Sequence, residues 1–156
     1  MEYLIIDVRN NGGGIVDQVI RISELMVPRD ETIMITSNRE NRENRRNART
    51  ESRVDLDIVI LVNGHSASAS EILAGALGDN NLATIIGTRT YGKGVMQEIR
   101  PLRTGGALKL TIQEFKTPNG TRINENGITP DIEIENERGT EEDEQLNRAI
   151  EFLRGI

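Results

Sequence analysis

Residues 57–63, Asp-Ile-Val-Ile-Leu-Val-Asn, carry the most apolar run in the chain, and small residues from Gly64 to Ser70 follow at once. Five consecutive apolar side chains leave no polar face, so this strand must be covered on both sides, as in the middle of a sheet between helices. The small residues then allow a sharp turn into a helix from about Ala69 to Gly78. Strand, tight turn and helix start, in that order, point to layered α/β architecture. The run Ile58 to Val62 is far too short to span a bilayer, which takes about 20 apolar residues.

The rest of the chain agrees with that layering. Residues 3–8 read as a short buried strand ending in Asn10-Asn11-Gly12-Gly13-Gly14, a turn that lets backbone approach a neighbour closely. Ile15, Val19, Ile22 and Met26 recur at helical spacing over 15–26, and Pro28 ends that helix. Residues 32–37 and Ala83 to Gly87 read as strands. Residues 38–53 hold six Arg, three Glu and four Asn, with Ala48 the one apolar residue, and are expected to form a mobile polar loop of local charge +3. Strands near 95–100 and 107–117 precede Pro118-Asn119-Gly120, which predicts a hairpin there. An acidic stretch, 131–144, leads into a last helix over 141–154 marked by Leu146, Ile150 and Leu153. No repeat and no linker divides the 156 residues, a length suited to one domain.

Composition removes several kinds of chemistry. The chain has no Cys and one His, so thiolate catalysis, disulfides, Cys-based zinc sites and paired imidazoles are excluded. Aromatic residues make up 3%, there is no Trp, and the net charge is −6, all unfavourable for a nucleic-acid surface. No His/carboxylate cluster has metal-ligand spacing, so no metal or organic cofactor is expected. No basic, long-apolar leader precedes Tyr3-Leu4-Ile5-Ile6. A chain opening on a core strand is either a complete small protein or a piece of a longer one.

The segment Val62-Asn63-Gly64-His65-Ser66-Ala67-Ser68-Ala69-Ser70-Glu71 puts serines at a helix N-terminus, where backbone N–H groups point outward. A serine there can attack a carbonyl while those N–H groups hold the oxyanion. The plainer reading is helix capping, the common role of Ser before a helix. A nucleophile needs a base. His65, three residues before Ser68, reads as a partly exposed turn residue, which disfavours a Ser-His-Asp triad. Lys93, in Tyr91-Gly92-Lys93-Gly94, is the other candidate. It would have to lose its proton near neutral pH, which burial among apolar groups promotes. Gln97 lies four residues on, on the same face of a strand, where a neutral amide would orient the amine. The plainer reading of Lys93 alone is a surface lysine in a glycine loop.

Taken together, the motifs resemble the protease core of the carboxyl-terminal processing peptidases, the tail-specific serine proteases of the S41 family. The matching runs are DVRNNGGG at 7–14, VNGHSASASE at 62–71, GALGD at 75–79 and GTRTYGKGVMQ at 87–97. LKLT at 108–111, TPNG at 117–120 and NGITPD at 126–131 continue the order. His65 stands where the family motif usually has a small residue. The resemblance implies a crotonase/ClpP-like α/β core of stacked β-sheets with flanking helices. It assigns the nucleophile to Ser68, the general base to Lys93 and the lysine-orienting role to Gln97. It gives the oxyanion hole to the backbone N–H of Ala69 and one from Gly13 or Gly14, with Ser66 and Ser70 in support. It implies polypeptide substrates cut near an unstructured C-terminus, no cofactor, and an extracytoplasmic setting such as periplasm or cell envelope.

The family's N-terminal helical region and PDZ-type domain are not in this sequence, so an isolated core or fragment is expected. An alternative is a catalytically inactive fragment or a binding module of the same fold, since related retinoid-binding repeats lack the catalytic residues. The first strand offers an exposed edge, so a homodimer is a further expectation.

Overall fold

The computed structural model describes residues 2–51, 54–137 and 142–155. Two four-stranded sheets carry the fold. The first holds β1 (Tyr3–Asp7), β4 (Asp57–Val62), β5 (Ala83–Gly87) and β8 (Ile132–Glu133) in that order, all parallel. The second holds β3 (Glu43–Asn47), β2 (Thr32–Ser37), β7 (Ala107–Lys116) and β6 (Val95–Pro101), antiparallel throughout. The helices are α1 (Val16–Ser23), α2 (Ala69–Asp79) and α3 (Glu144–Arg154). This is mixed α/β, with stacked sheets and flanking helices as the sequence implies.

β4 shows why the apolar run matters. Ile58, Ile60 and Val62 face a large core shared with α1, α2 and the second sheet, while Val59 and Leu61 face a smaller one under α3. Every residue from Ile58 to Val62 is buried. α2 is buried from Ala69 through Leu77 because it lies between the two sheets, so it lacks a polar face.

Several expectations need correction. The polar segment 38–53 is not all loop. Glu43–Asn47 pair with β2, and Ala48 is fully buried. Asn38 makes the hairpin, its Oδ1 accepting from the N–H groups of Glu40 and Arg42 at 3.0 Å each. An edge strand bonded on one side needs no apolar pattern, which is why β3 escapes a hydrophobicity reading. Residues 52 and 53 lie outside the described residues. α1 stops at Ser23, whose Oγ donates to the Val19 carbonyl, and looser turns continue to Val27. Its buried side is Val19, Ile20 and Ser23, while Ile15 and Ile22 are exposed. The hairpin forms one step earlier than expected, between β6 and β7 around Gly105 and Gly106. The turn at 118–120 leads only to a single bridge, Lys116 with Arg122. The last helix starts at Glu144, and Glu141 lies outside the described residues.

Candidate active site

Parallel strands deliver their C-terminal ends to one edge of a sheet, and that edge is where such sheets place ligands. Here β1 is followed by the glycine turn, β4 by the serine segment and β5 by the loop carrying Lys93. Three segments far apart in sequence therefore meet.

Side chains of the serine segment tie the first two together. Ser66 Oγ donates to the Val8 carbonyl at 2.7 Å and accepts from Asn63 N–H at 3.0 Å. Ser70 Oγ and Ala67 N–H both donate to the Asn11 carbonyl, at 3.1 and 3.0 Å. The Asn63 side chain exchanges hydrogen bonds with Asn10, accepting from its N–H and donating to its Oδ1, each at 3.0 Å. Gly13 then lies against the start of α2. A Cβ there would stand 2.6 Å from Ala67 O and 2.9 Å from both Ala69 N and Ser68 Cβ, and Gly13 has φ 97°. No other residue fits.

Ser68 is half-buried with φ 56° and ψ −113°, a sparsely populated conformation for a non-glycine residue. It stands at the N-cap of α2, with Ala69 N–H the first of the helix. The glycine turn offers two further N–H groups. Gly13 N–H donates to Asn11 Oδ1 at 2.9 Å, whereas Gly14 N–H has no acceptor among the described residues.

Glu71 joins the third segment. It is fully buried, and its carboxylate accepts four hydrogen bonds. Oε1 accepts from Thr90 Oγ1 and Gly92 N–H, both at 2.6 Å. Oε2 accepts from Ser68 N–H at 2.8 Å and Lys93 N–H at 2.9 Å. The backbone nitrogens of Ser68 and Lys93 thus share one oxygen and lie no farther apart than those two lengths together. A carboxylate can satisfy about four lone-pair positions, and Glu71 fills them. Its place inside the motif VNGHSASASE was visible in the sequence, but its role was not. A lone Glu between Ser70 and Ile72-Leu73-Ala74-Gly75 on an apolar helix is the signal that could have revealed it, since burial of a charge requires partners.

The Lys93 loop is clamped from outside as well. Thr90 exchanges bonds with Ile128, and Glu125 N–H donates to the Gly92 carbonyl at 2.9 Å. A Cβ at Gly94 would run into Asn124 N. The backbone is fixed, but the Lys93 side chain is exposed, contrary to the expected burial. Both flanking glycines turn their backbone inward, which leaves the lysine stem pointing out. Gln97 is exposed too, and its Nε2 donates to Thr111 Oγ1 at 3.4 Å across the β6–β7 pair. The register shift opposite Met96 and Gln97 leaves Ile112 of β7 as the extra residue, which sets Gln97 against Thr111. His65 is exposed in the turn, as read from the sequence, its N–H held by Asn63 Oδ1. Among the described residues no group of three or more His, Asp and Glu could hold a metal ion, and no helix is long and apolar enough to cross a membrane.

Comparison with known proteins adds to this geometry. The family model described as Peptidase family S41 matches residues 1–134. A carboxy-terminal-processing protease from Bartonella bacilliformis is 45% identical over 132 residues, covering 84% of this chain and 30% of the relative. A carboxyl-terminal-processing protease from Synechocystis is 39% identical over 157 residues, covering 97% of this chain and 36% of the relative. Among solved structures, a photosystem II D1 C-terminal processing protease aligns with TM-score 0.83 at 33% identity, covering 95% of this chain and 38% of that one. The chain therefore spans about a third of the length of the proteins it resembles.

Proposed function

The chain belongs to peptidase family S41, and from that membership we propose that it is the core of a serine endopeptidase acting on polypeptides near an unstructured C-terminus. Ser68 is the nucleophile and Lys93 the general base. Ser68 Oγ bonds to the scissile carbonyl carbon as neutral Lys93 takes its proton. The carbonyl oxygen becomes an oxyanion, held by Ala69 N–H and a glycine-turn N–H. The Lys93 ammonium then protonates the leaving amine as the C–N bond breaks, giving an ester on Ser68. Water then attacks the ester as Lys93 takes its proton, and the Lys93 ammonium returns that proton to Ser68 Oγ as the acyl C–O bond breaks and the acid leaves. Gln97 would orient the amine after a change of partner from Thr111.

The single observation carrying this reading is the Glu71 carboxylate, which binds the Ser68 and Lys93 backbones through one oxygen. Structural capping of α2 alone would not require the second loop. For the oxyanion, Gly14 suits better than Gly13, whose N–H is engaged by Asn11.

A second reading is favoured by the exposure of Lys93 and Gln97. In it, this core holds the backbone frame and requires the remaining two-thirds of a relative-length protein to cover the lysine. Until covered, it is inactive or only binds.

Cleavage of unfolded casein separates the readings. The chain as given is compared with Ser68→Ala and Lys93→Ala. Loss of cleavage in both variants is the expected result. Cleavage surviving Ser68→Ala would overturn the nucleophile, and a folded chain inert in every version would favour the second reading.

A further inference from the structure

Outside the Ser68 and Glu71 cluster, the densest polar constellation among the described residues centres on Arg9. Its guanidinium forks onto Asp143, Nη1 to Oδ1 at 2.7 Å and Nη2 to Oδ2 at 2.8 Å. Nε and Nη2 also reach Asp7, and Nη1 donates to Gln145 Oε1 at 3.1 Å. The Arg9 side chain is 13% exposed, and its bonds to Asp143 and Gln145 are partly buried while those to Asp7 lie open to water. Paired forks of this kind fix orientation as well as supplying energy.

Arg9 is also placed to matter. Asn11 N–H donates to the Val8 carbonyl at 3.2 Å, so Arg9 and Asn10 are the central residues of the turn leaving β1. The next residue, Asn11, holds Ala67 and Ser70 through its carbonyl and Gly13 through its side chain. Gly13 touches Ser68. A shift at Arg9 must therefore be absorbed by the glycine turn or passed to it.

Asp143 comes from the far end of the chain. It caps α3, accepting from Leu146 N–H at 3.0 Å, and also accepts from Asn136 Nδ2 at 3.2 Å. Buried Gln145 locks the same corner, donating from Nε2 to the Ile134 carbonyl at 2.7 Å and from its N–H to Asn136 Oδ1 at 2.9 Å. Both residues lie beyond 1–134, the stretch that matches the family. A helix cap alone needs one acceptor. The second oxygen, aimed at Arg9, has no capping purpose.

We propose that Asp143 is a positioning residue for the glycine turn, acting through Arg9 to hold the Gly13–Gly14 backbone against Ser68. The inference rests on the peptidase reading only in the use the turn is put to. The holding itself is a property of the fold.

The test is amide hydrogen exchange on isotopically labelled chain, comparing wild type with Asp143→Asn. Asparagine is as good an N-cap as aspartate, so α3 stays capped while the charge on Arg9's partner is lost. The expected result is exchange about tenfold faster at the Gly13 and Ala67 amides, the two that Asn11 holds, on the scale of one charge-assisted hydrogen bond. Faster exchange confined to α3, with these two amides unchanged, would overturn the proposal, because a purely structural role predicts that pattern. If Asp143→Asn does not fold, Asp143→Glu displaces the carboxylate by one methylene while keeping its charge, and the same two amides are read with the same criterion. Since no turnover is involved, this outcome is independent of the casein assay that tests Ser68 and Lys93.

Discussion

Ser68 and Gly13 each adopt a backbone conformation that a freely chosen residue would avoid, and each is held there by neighbours. For Gly13 the constraint is absolute. Its φ of 97° and the 2.6 Å approach of Ala67 O leave no space for a methyl group. Gly13→Ala must therefore push the turn away from Ser68. Removing one oxyanion donor typically costs 10²–10³ in rate, so cleavage should fall by about that factor. A casein assay on this variant, alongside circular dichroism to show that it folds, checks the expectation. Glu71 is the complementary case. Glu71→Gln preserves shape but turns one acceptor into a donor facing donors. Two of the four bonds around it lose their partner, and hydrogen bonds to charged groups are worth about 1.5–3 kcal/mol each. The variant should unfold at lower urea, by about 3 kcal/mol of stability. Equal stability would mean that the carboxylate contributes nothing that an amide cannot.

At the scale of elements, what could be read from the sequence depended on whether an element buries apolar surface. β2 and β5 occur over 32–37 and 83–87, as read, and β4 ends one residue earlier than its apolar pattern suggests. β3 and β8 were missed. β3 is set by the Asn38 turn and an ion pair from Lys116 to Glu43, and β8 is two residues among acids. The candidate site divides in the same way. The motif order pointed to Ser68, Lys93 and the glycines, while Gln97 facing Thr111 depended on a bulge that alternation cannot foresee. The partnership of Arg9 with Asp143, 134 residues apart, left no local trace. That pairing makes α3 sensitive to acid. The Arg9 hydrogen bonds hold the Asp143 carboxyl far below the usual carboxylate range. For Asp7, burial pushes its carboxyl up, but bonds from Arg9 outweigh it and the net shift is down. Arg9 stays charged throughout, raised chiefly by Asp143. Carboxyls depressed on folding contribute stability that is complete above their unfolded value, about 3.9, and is lost as pH falls through the folded one. Exchange protection of 144–154, corrected for the intrinsic pH dependence, should hold steady from neutrality to about pH 5 and fall below about pH 4. In Asp143→Asn this acid-dependent part should shrink.

The whole molecule hangs on β4 because it gives buried residues to both cores, three to the larger and two to the smaller, from inside its sheet. Ile60 is fully buried on the side of α1 and α2, and its neighbours Val59 and Leu61 are fully buried on the side of α3. β4 also lies between β1 and β5, so the backbones of the two site-bearing strands are bonded through it. Loosening β4 cannot be confined to one face or one loop. Truncating Ile60 to alanine removes about three carbons from a close-packed position, which typically costs 2–5 kcal/mol. Native domains hold only about 5–15 kcal/mol in all, so this single change should remove a large fraction of the stability. The loss should also be cooperative. With no Trp, the two tyrosines report on separate places, Tyr3 on the exposed edge strand β1 and Tyr91 beside Lys93. Tyrosine fluorescence and far-ultraviolet circular dichroism should give one urea midpoint for Ile60→Ala, shifted down together from wild type. Ala149→Gly tests the contrast, because it sits in the smaller core under α3 alone and adds a glycine inside that helix. It should lower the protection of α3 amides more than the common midpoint. Two separate midpoints in Ile60→Ala would mean that the two cores fold independently and that β4 merely divides them.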